Sequence, residues 1–183
     1  PVRVLVARGW LREPEVDAVL AWLHPAWRLN RVFARVAGRC WVSDDLLALR
    51  LRCNGNARGW RPGQHVQLYL PIDGVRHSRS YSLTRVERGG IELGIRRQPG
   101  GRFSNHLLDH LAVGDLVELG VAQGDLCWPQ AAPGVGLLAA GSGITALLGL
   151  LREALQAGYA APVTLLHYVR VSGQQAYAAE LQT

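Results

Sequence analysis

The strongest constraint on this chain is a rhythm of short alternating runs between positions 32 and 121. Residues 32–36, 46–51, 66–70, 79–84, 90–96 and 116–121 form six such runs. Turn formers separate them: Asn54-Gly55-Asn56, Arg61-Pro62-Gly63, Asp73-Gly74, Arg88-Gly89-Gly90 and Gly114-Asp115. A period of two sends successive side chains to opposite faces of a strand. Gly, Asn and Asp supply the backbone angles that tight reversals need. Several strands at this spacing predict an antiparallel barrel or sandwich. One interruption, residues 104–111, predicts a short helix capped by Ser104 and stopped at Gly114.

The flanks read differently. Residues 1–33 predict a helical extension, with Val16, Val19, Leu20 and Leu23 on one face and a break at Pro25. Trp10, Trp22 and Trp27 lie in it and need apolar cover from the next domain or from a partner. After residue 134, Gly136 to Ala140 reads as a strand covered on both faces. Ile144 to Leu155 has helical spacing, residues 162–170 read as a second strand, and Gln174 to Leu181 begins another helix. This is one βαβ unit and a helix start.

Charge narrows the chemistry. All 20 basic residues are Arg; Lys is absent. A lysine Schiff base and a lysine-bearing phosphate loop are therefore excluded. Any phosphate must be held by Arg, backbone N–H groups or hydroxyls. Residues 1–102 hold 18 Arg against 8 acids, and residues 103–183 hold 2 Arg against 6. The basic part offers a surface to anionic groups. The three cysteines match no metal spacing and are expected to be reduced and structural, in keeping with a cytoplasmic protein. No run is long enough for a transmembrane helix.

Three short stretches carry candidate chemistry. Arg79-Ser80-Tyr81-Ser82 puts Arg79 and Tyr81 on one strand face, a guanidinium fork beside a flat ring. Gly101-Arg102-Phe103-Ser104-Asn105 runs into a helix start, where free N–H groups attract anions. Gly141-Ser142-Gly143-Ile144-Thr145 joins a strand to a helix, the context in which a glycine turn binds a pyrophosphate. Arg170, at the end of the next strand, suits a 2′-phosphate.

These stretches, in this order, resemble the ferredoxin–NADP reductase family. Arg79, Tyr81 and Ser82 match its R-x-Y-[ST] signature. Gly101 and Ser104 match its second flavin segment. Residues 141–145 match G-[TS]-G-I-[TA]-P, with Ala146 in place of the proline. The resemblance covers residues 34–183. It implies a flavin-binding antiparallel β-barrel at 34–131, followed at 134–183 by the first part of a Rossmann-like nicotinamide-binding domain, with 1–33 as a helical extension. It further implies FAD, NADP or NAD, and electron transfer to an iron–sulfur protein, oxygenase or desaturase.

Residue by residue, the resemblance gives Arg79 the flavin pyrophosphate, Tyr81 the isoalloxazine face and Ser82 the vicinity of the flavin's hydride-accepting atom. Tyr81 and Ser82 are the catalytic candidates. Strict alternation would turn Ser82 away from Tyr81, so the strand must bend there or its backbone must contribute. Ile95, Arg96 and Arg97 would lie along the ribityl or adenine side. Ser80, Gly101, Arg102, Phe103, Ser104 and Asn105 complete the flavin set. Gly141, Ser142, Gly143, Ile144, Thr145 and Arg170 would receive the nicotinamide cofactor.

The extension and the Arg-rich first part look most like the subgroup that adds a plant-type 2Fe–2S domain, which would lie beyond Thr183. With one βαβ unit, the chain is expected to bind flavin without completing a turnover cycle. The open face of strand 162–170 is expected to be exposed, or covered by self-association. The competing expectation is a non-catalytic barrel module for an anionic partner such as nucleic acid. His106 and His110, four apart, lack a third metal ligand nearby.

Overall fold

The structure, a computed structural model, describes residues 2–129 and 132–182. Six antiparallel strands close into a barrel: β1 (Val32–Trp41), β2 (Leu46–Cys53), β3 (His65–Ile72), β4 (Val75–Glu87), β5 (Gly90–Arg96) and β6 (Leu116–Leu119). Their order is β1-β2-β5-β4-β3-β6, with β6 returning to β1. The alternation has its expected cause. Along β3, Val66, Leu68, Leu70 and Ile72 are buried while the residues between them are more exposed. Leu49, Leu68, Leu83, Leu93 and Ile95 have no exposed surface and fill the interior. Several strands run longer than their apolar runs, because hydrogen bonding continues past the last buried side chain; β4 begins four residues before Arg79.

Two bulges shape the barrel. In β1 the register against β2 shifts between Val36 and Gly38. In β4, Leu83 pairs with Leu93 but Arg85 pairs with Glu92, so Thr84 is the extra residue. Such an insertion bends a strand and re-aims its side chains. Leu83 and Thr84 are consequently both buried. The Thr84 hydroxyl is satisfied against the Glu92 carbonyl at 3.0 Å and its carboxylate at 2.9 Å.

The helix expected around residues 104–111 is α3 (Arg102–His110), packed against β3, β4 and β5. The extension holds two helices, which become α1 (Val2–Ala7) and α2 (Glu13–Leu23). Their apolar residues are not covered as expected. Trp22 is 85 % and Trp10 75 % exposed, and α2 buries no residue fully.

Beyond the barrel, β7 (Val135–Ala140) and β8 (Val163–Tyr168) pair in parallel around α4 (Ile144–Gln156). The expectation that residues 136–140 are covered on both faces fails. Leu137 and Ala139 are buried, but Leu138 is 68 % exposed, because only α4 and the outer barrel wall pack on this sheet. On β8, Leu166 and Tyr168 are exposed, as the sequence led one to expect. The last helix is shorter than its pattern. A 3-10 turn at Ser172–Gln174 is followed by α5 (Ala178–Leu181), because Tyr177 takes a left-handed backbone with φ 58°.

A second, smaller core joins the two parts: Leu46 and Ala48 from the barrel wall meet Ala139, Ile144, Leu148 and Tyr177. Glycine makes the approach possible. A Cβ on Gly149 would lie 2.3 Å from the Leu83 carbonyl oxygen, and one on Gly94 2.3 Å from the Thr145 methyl. Arg152 then crosses the seam. It donates to the Thr84 carbonyl and to Glu92 at 2.9 Å each, and to Glu180 at 2.5 and 2.7 Å.

Candidate functional site

The three stretches singled out in the sequence converge on one cavity of about 400 Å³ between barrel and α/β unit. Arg79, Ser80, Tyr81 and Ser82 supply its β4 wall. Gly101, Arg102, Phe103 and Ser104 supply the wall at the start of α3. Ser142, Gly143 and Thr145 approach from the β7–α4 turn. The volume lies within the range of small-molecule sites.

Each wall has a local cause. Tyr81 and Ser82 both line the cavity, and the bulge of the strand follows at Thr84. The Arg79 guanidinium donates to the Ser78 carbonyl at 2.7 Å and lies 5.8 Å from the centre of the Phe103 ring, leaving most of its fork open. Tyr81 and Phe103 face each other with ring centres 6.4 Å apart. Burial pushes the Tyr81 phenol up to about 12, against the pull of the Arg79 charge. Tyr81 is therefore a neutral hydrogen-bonding ring at any physiological pH. The Ser80 hydroxyl accepts from the Gln67 side chain at 2.8 Å.

The helix start differs from its expected form. The N-cap is Gly101, with Arg102 the first helical residue. Ser104 lies inside the first turn, and its hydroxyl accepts the Gln98 N–H at 3.3 Å instead of capping the helix. The Gly101 N–H donates to the Gln98 carbonyl at 2.9 Å and closes the turn whose two ends line the cavity. A Cβ on Gly101 would lie 2.8 Å from the Ser104 hydroxyl, so this position admits only glycine without a shift. Arg102 is tied to Asp73 in the β3–β4 turn.

Four of the predicted residues do not line this cavity or the second one described below. Ile95 and Ile144 have no exposed surface and belong to the two cores. Arg97 pairs with Asp109 at 2.8 Å, and that bond raises the Arg97 pKa and lowers that of Asp109. Asn105 packs beside the site, where its side-chain oxygen is buried without a hydrogen-bond partner.

A second cavity of about 390 Å³ opens at the carboxyl ends of β7 and β8. Gly141, Tyr168, Arg170 and Gln174 line it. Arg170 lies two residues past the end of β8 rather than in the strand. Gly141, with φ 52°, opens a 3-10 turn that leads into α4. The His167 ring meets the Gly141 carbonyl at 2.8 Å and fixes the turn against β8.

Arg96 lines both cavities. Its Nε donates to Asp45 at 2.8 Å, and Gln174 donates to the same carboxylate oxygen at 3.0 Å. A Cβ on Gly141 would lie 2.7 Å from the Arg96 guanidinium, so the glycine lets the cation come close to the turn. Sequence reasoning named Arg96 but not this bridging place. It missed Gly94 and Gln98, which also line the first cavity. A glycine inside a strand is a signal of close approach, and Gly94 carried it.

The cysteines depart from expectation. All three are free, but Cys40 and Cys127 are exposed; only Cys53 is partly covered, and burial pushes its thiol up to about 12. Among the described residues there is no cluster of three metal-ligating side chains, and the His106 and His110 rings contact each other at 4.6 Å. No helix among the described residues is long and apolar enough to cross a membrane.

A closed antiparallel barrel joined to a β-α-β turn, with a cavity at the junction, defines the ferredoxin-reductase class of flavin-binding folds. The chain belongs to the oxidoreductase FAD-binding domain family, whose profile matches residues 34–128. It is similar to a flavohemoprotein of Pseudomonas aeruginosa, 34 % identical over 90 % of this chain and 42 % of that protein. It is also similar to an NADPH oxidoreductase of Mycobacterium tuberculosis, 29 % identical over 90 % of this chain and 45 % of that one. Among solved structures, an Amycolatopsis cytochrome P450 reductase superposes with a TM-score of 0.73 at 30 % identity, over 83 % of this chain and 47 % of that one. The chain thus spans less than half the length of these curated relatives.

Proposed function

We propose that the chain binds FAD in the junction cavity and a pyridine nucleotide in the cavity at the ends of β7 and β8. As part of a reductase it would carry electrons from NAD(P)H to an iron–sulfur protein, an oxygenase or a desaturase. The observation that carries this reading is convergence. Three stretches from distant parts of the chain line one cavity, in a chain whose residues 34–128 match an FAD-binding family.

The residues fit the cofactor. The open fork of Arg79 offers bidentate bonds to a pyrophosphate. The amides at the start of α3 offer further donors, which matters in a chain without Lys. Tyr81 gives a neutral face for a flat ring, with the Phe103 ring tilted beside it at 6.4 Å between centres. Ser82 offers a hydroxyl beside Tyr81 at the point where the strand bends. The bound flavin would supply the hydride and single-electron chemistry that no side chain can. Tyr81 and Ser82 would set its orientation, while Thr145 and Ala146 would exclude water from the side of α4.

At the second cavity, the turn from Gly141 to Thr145 would take the nucleotide's pyrophosphate, and Arg170 a 2′-phosphate, favouring NADP. Arg96 would see both cofactors. On this reading residues 34–131 are the flavin unit and residues 134–183 belong to the nicotinamide unit.

The test is flavin retention. The purified chain should be yellow, or take up added FAD with quenching of its fluorescence. Arg79→Ala should weaken FAD binding about 10- to 100-fold, the scale of a charge-assisted bond. A colourless chain that takes up no FAD overturns the reading. Equal affinity of NADP⁺ for wild type and Arg170→Ala would remove the 2′-phosphate assignment and leave the flavin assignment standing.

A further inference from the structure

Strand alternation puts Leu46, Ala48, Arg50 and Arg52 on one face of β2. Leu46 and Ala48 are buried in the small core under the α/β unit, whereas Arg50 and Arg52 continue the row and are exposed. The register sets Arg50 opposite Glu92 and Arg52 opposite Gly90 of β5. From the other side, Arg85 and Glu87 of β4 stand opposite the same two residues. Here the outer wall of the barrel sinks into a third cavity, of about 410 Å³. Small residues make the room. Gly90 brings no side chain, and Ala37, the extra residue of the β1 bulge, brings only a methyl. The cavity shares no lining residue with the two described above.

Its walls are rich in cations. Arg50, Arg52, Arg85 and Arg88 line it, against Glu87 and Glu92. The acids do not use up the cations. Glu92 is buried and pairs with Arg152 at 2.9 Å, and it meets Arg50 only at 3.4 Å. Glu87 stands 3.7 Å from Arg85, and Glu180, which binds Arg152, stands 3.8 Å from it. Both gaps exceed hydrogen-bond reach. The Arg85 Nε is buried and has no hydrogen-bond partner. Among the described residues, the side chains of Arg52 and Arg88 make neither an ion pair nor a hydrogen bond. By contrast, Arg35 and Arg39 of β1 each donate to backbone carbonyls.

The chemistry of these groups selects the occupant. Guanidinium groups gathered without acceptors repel one another, and an anion with several oxygens removes that cost. A phosphate accepts two parallel N–H bonds from each Arg fork. Arg52 comes from β2 and Arg88 from the turn between β4 and β5, so two free forks reach the hollow at Gly90 from different strands. Two forks call for more than one phosphate group. A concave site of this volume suits a small molecule, whereas a protein partner covers a broader surface.

We propose that this third cavity is an anion site for a small molecule carrying linked phosphate groups, with Arg52 and Arg88 binding the phosphates and Arg85 adding its charge from β4. The proposal is independent of the flavin and nucleotide assignments, because no residue of either cofactor cavity takes part.

The experiment is an NMR titration of the isotope-labelled 183-residue chain with inorganic pyrophosphate, alongside orthophosphate. The amide signals of Gly89 and Gly90 should shift and saturate, with pyrophosphate bound at least about tenfold more tightly than orthophosphate. Arg52→Ser with Arg88→Ser should weaken pyrophosphate binding about tenfold or more, the scale of losing charge-assisted hydrogen bonds. Both side chains are exposed and unbonded, so their loss leaves the fold intact. Arg8→Ser with Arg12→Ser removes the same charge from the N-terminal extension and should bind as wild type. Arg79→Ala with Arg170→Ala should leave the Gly89 and Gly90 shifts in place. Shifts that appear only around Gly101 and Gly143 would put the anion in the cofactor cavities and overturn the proposal. So would unchanged binding by the Arg52 and Arg88 variant, or equal affinity for the two phosphates. A chain that ignores pyrophosphate but shifts the same signals with a polyglutamate peptide also overturns it, in favour of an acidic protein segment as occupant.

Discussion

In the barrel every strand has hydrogen-bonded neighbours on both sides; in the β7–β8 sheet each strand has one. The barrel therefore buries its apolar residues against its own far wall. The α/β unit has no such inside. One face of its sheet rests on α4 and the barrel, and the other shows Leu138, Leu166 and Tyr168. On the proposed function the two parts would also hold phosphate-sized groups differently. The barrel offers a charged fork on a stiff strand, Arg79. The α/β unit offers a glycine turn whose position depends on how α4 seats against β4. The first cavity needs both, so its geometry is only as firm as the seam between them.

That seam is where the largest effect is expected. Arg152 and Glu92 are almost fully covered and pair at 2.9 Å. The bonds to Glu92 and Glu180 raise the Arg152 pKa against the cost of burial, so the side chain stays charged. Removing one partner strands the other charge. Arg152→Ala should cost about 3–5 kcal/mol, read as a lowered denaturation midpoint. Arg152→Met with Glu92→Gln should recover much of it, since the stranded charge is then gone. If the single variant unfolds like wild type, the two parts are not held by this pair.

Within each part the comparison can be broken by one leucine. Leu68→Ala, in the closed barrel, should cost about 2–5 kcal/mol by opening a cavity. Leu166→Ala, on the open face of β8, should fall within about 0.5 kcal/mol of wild type. Equal losses would mean that the β8 face is covered in solution, and concentration-dependent size would show by what. Two glycines repeat the contrast on a smaller scale. Gly149→Ala pushes a methyl to within 2.3 Å of the Leu83 carbonyl oxygen and should cost about 1–3 kcal/mol. A methyl on Gly136 meets nothing within 4 Å, so Gly136→Ala should be near neutral.

The same division governs how much could be read from the sequence. The barrel was legible because its interior imposes a period of two on consecutive residues, and β5 begins and ends where its apolar run does. The cavity was legible because its three walls are each a short local stretch. What escaped is what depends on contact between distant stretches. Ser104 looked like a helix cap, but Gln98 claims its hydroxyl. Ile95 and Ile144 sat inside site motifs, yet packing took both into the cores. The covered strand at residues 136–140 was inferred from its composition, which records a strand's preference and not what lies over it. The Arg152, Glu92 and Thr84 network joins residues up to 68 positions apart, and no local pattern announces it.

The smallest effect should come from acid, and it can locate where loosening begins. Glu180 is held below its usual carboxylate range of 4.5, first by hydrogen bonding to Arg152 and then by the charges of Arg152 and Arg85. A carboxylate with a lowered folded pKa binds protons less readily in the native state than in the unfolded one. Its contribution to stability is therefore complete above the unfolded value and is lost as the pH falls through the folded value. Stability should stay level from neutrality down to about pH 5 and decline below 4.5. Asp109, lowered by its bond to Arg97, adds to the same slope from the barrel side. Both carboxylates are substantially exposed, so solvent and salt should keep each contribution small. Glu180→Gln should flatten the slope between pH 5 and 3 more than Asp109→Asn does, because Glu180 spans the seam while Asp109 braces only the end of α3. Denaturation midpoints measured across that range decide it. A slope that only Asp109→Asn removes would place the acid-sensitive contact in the barrel and free the seam of the part assigned to it.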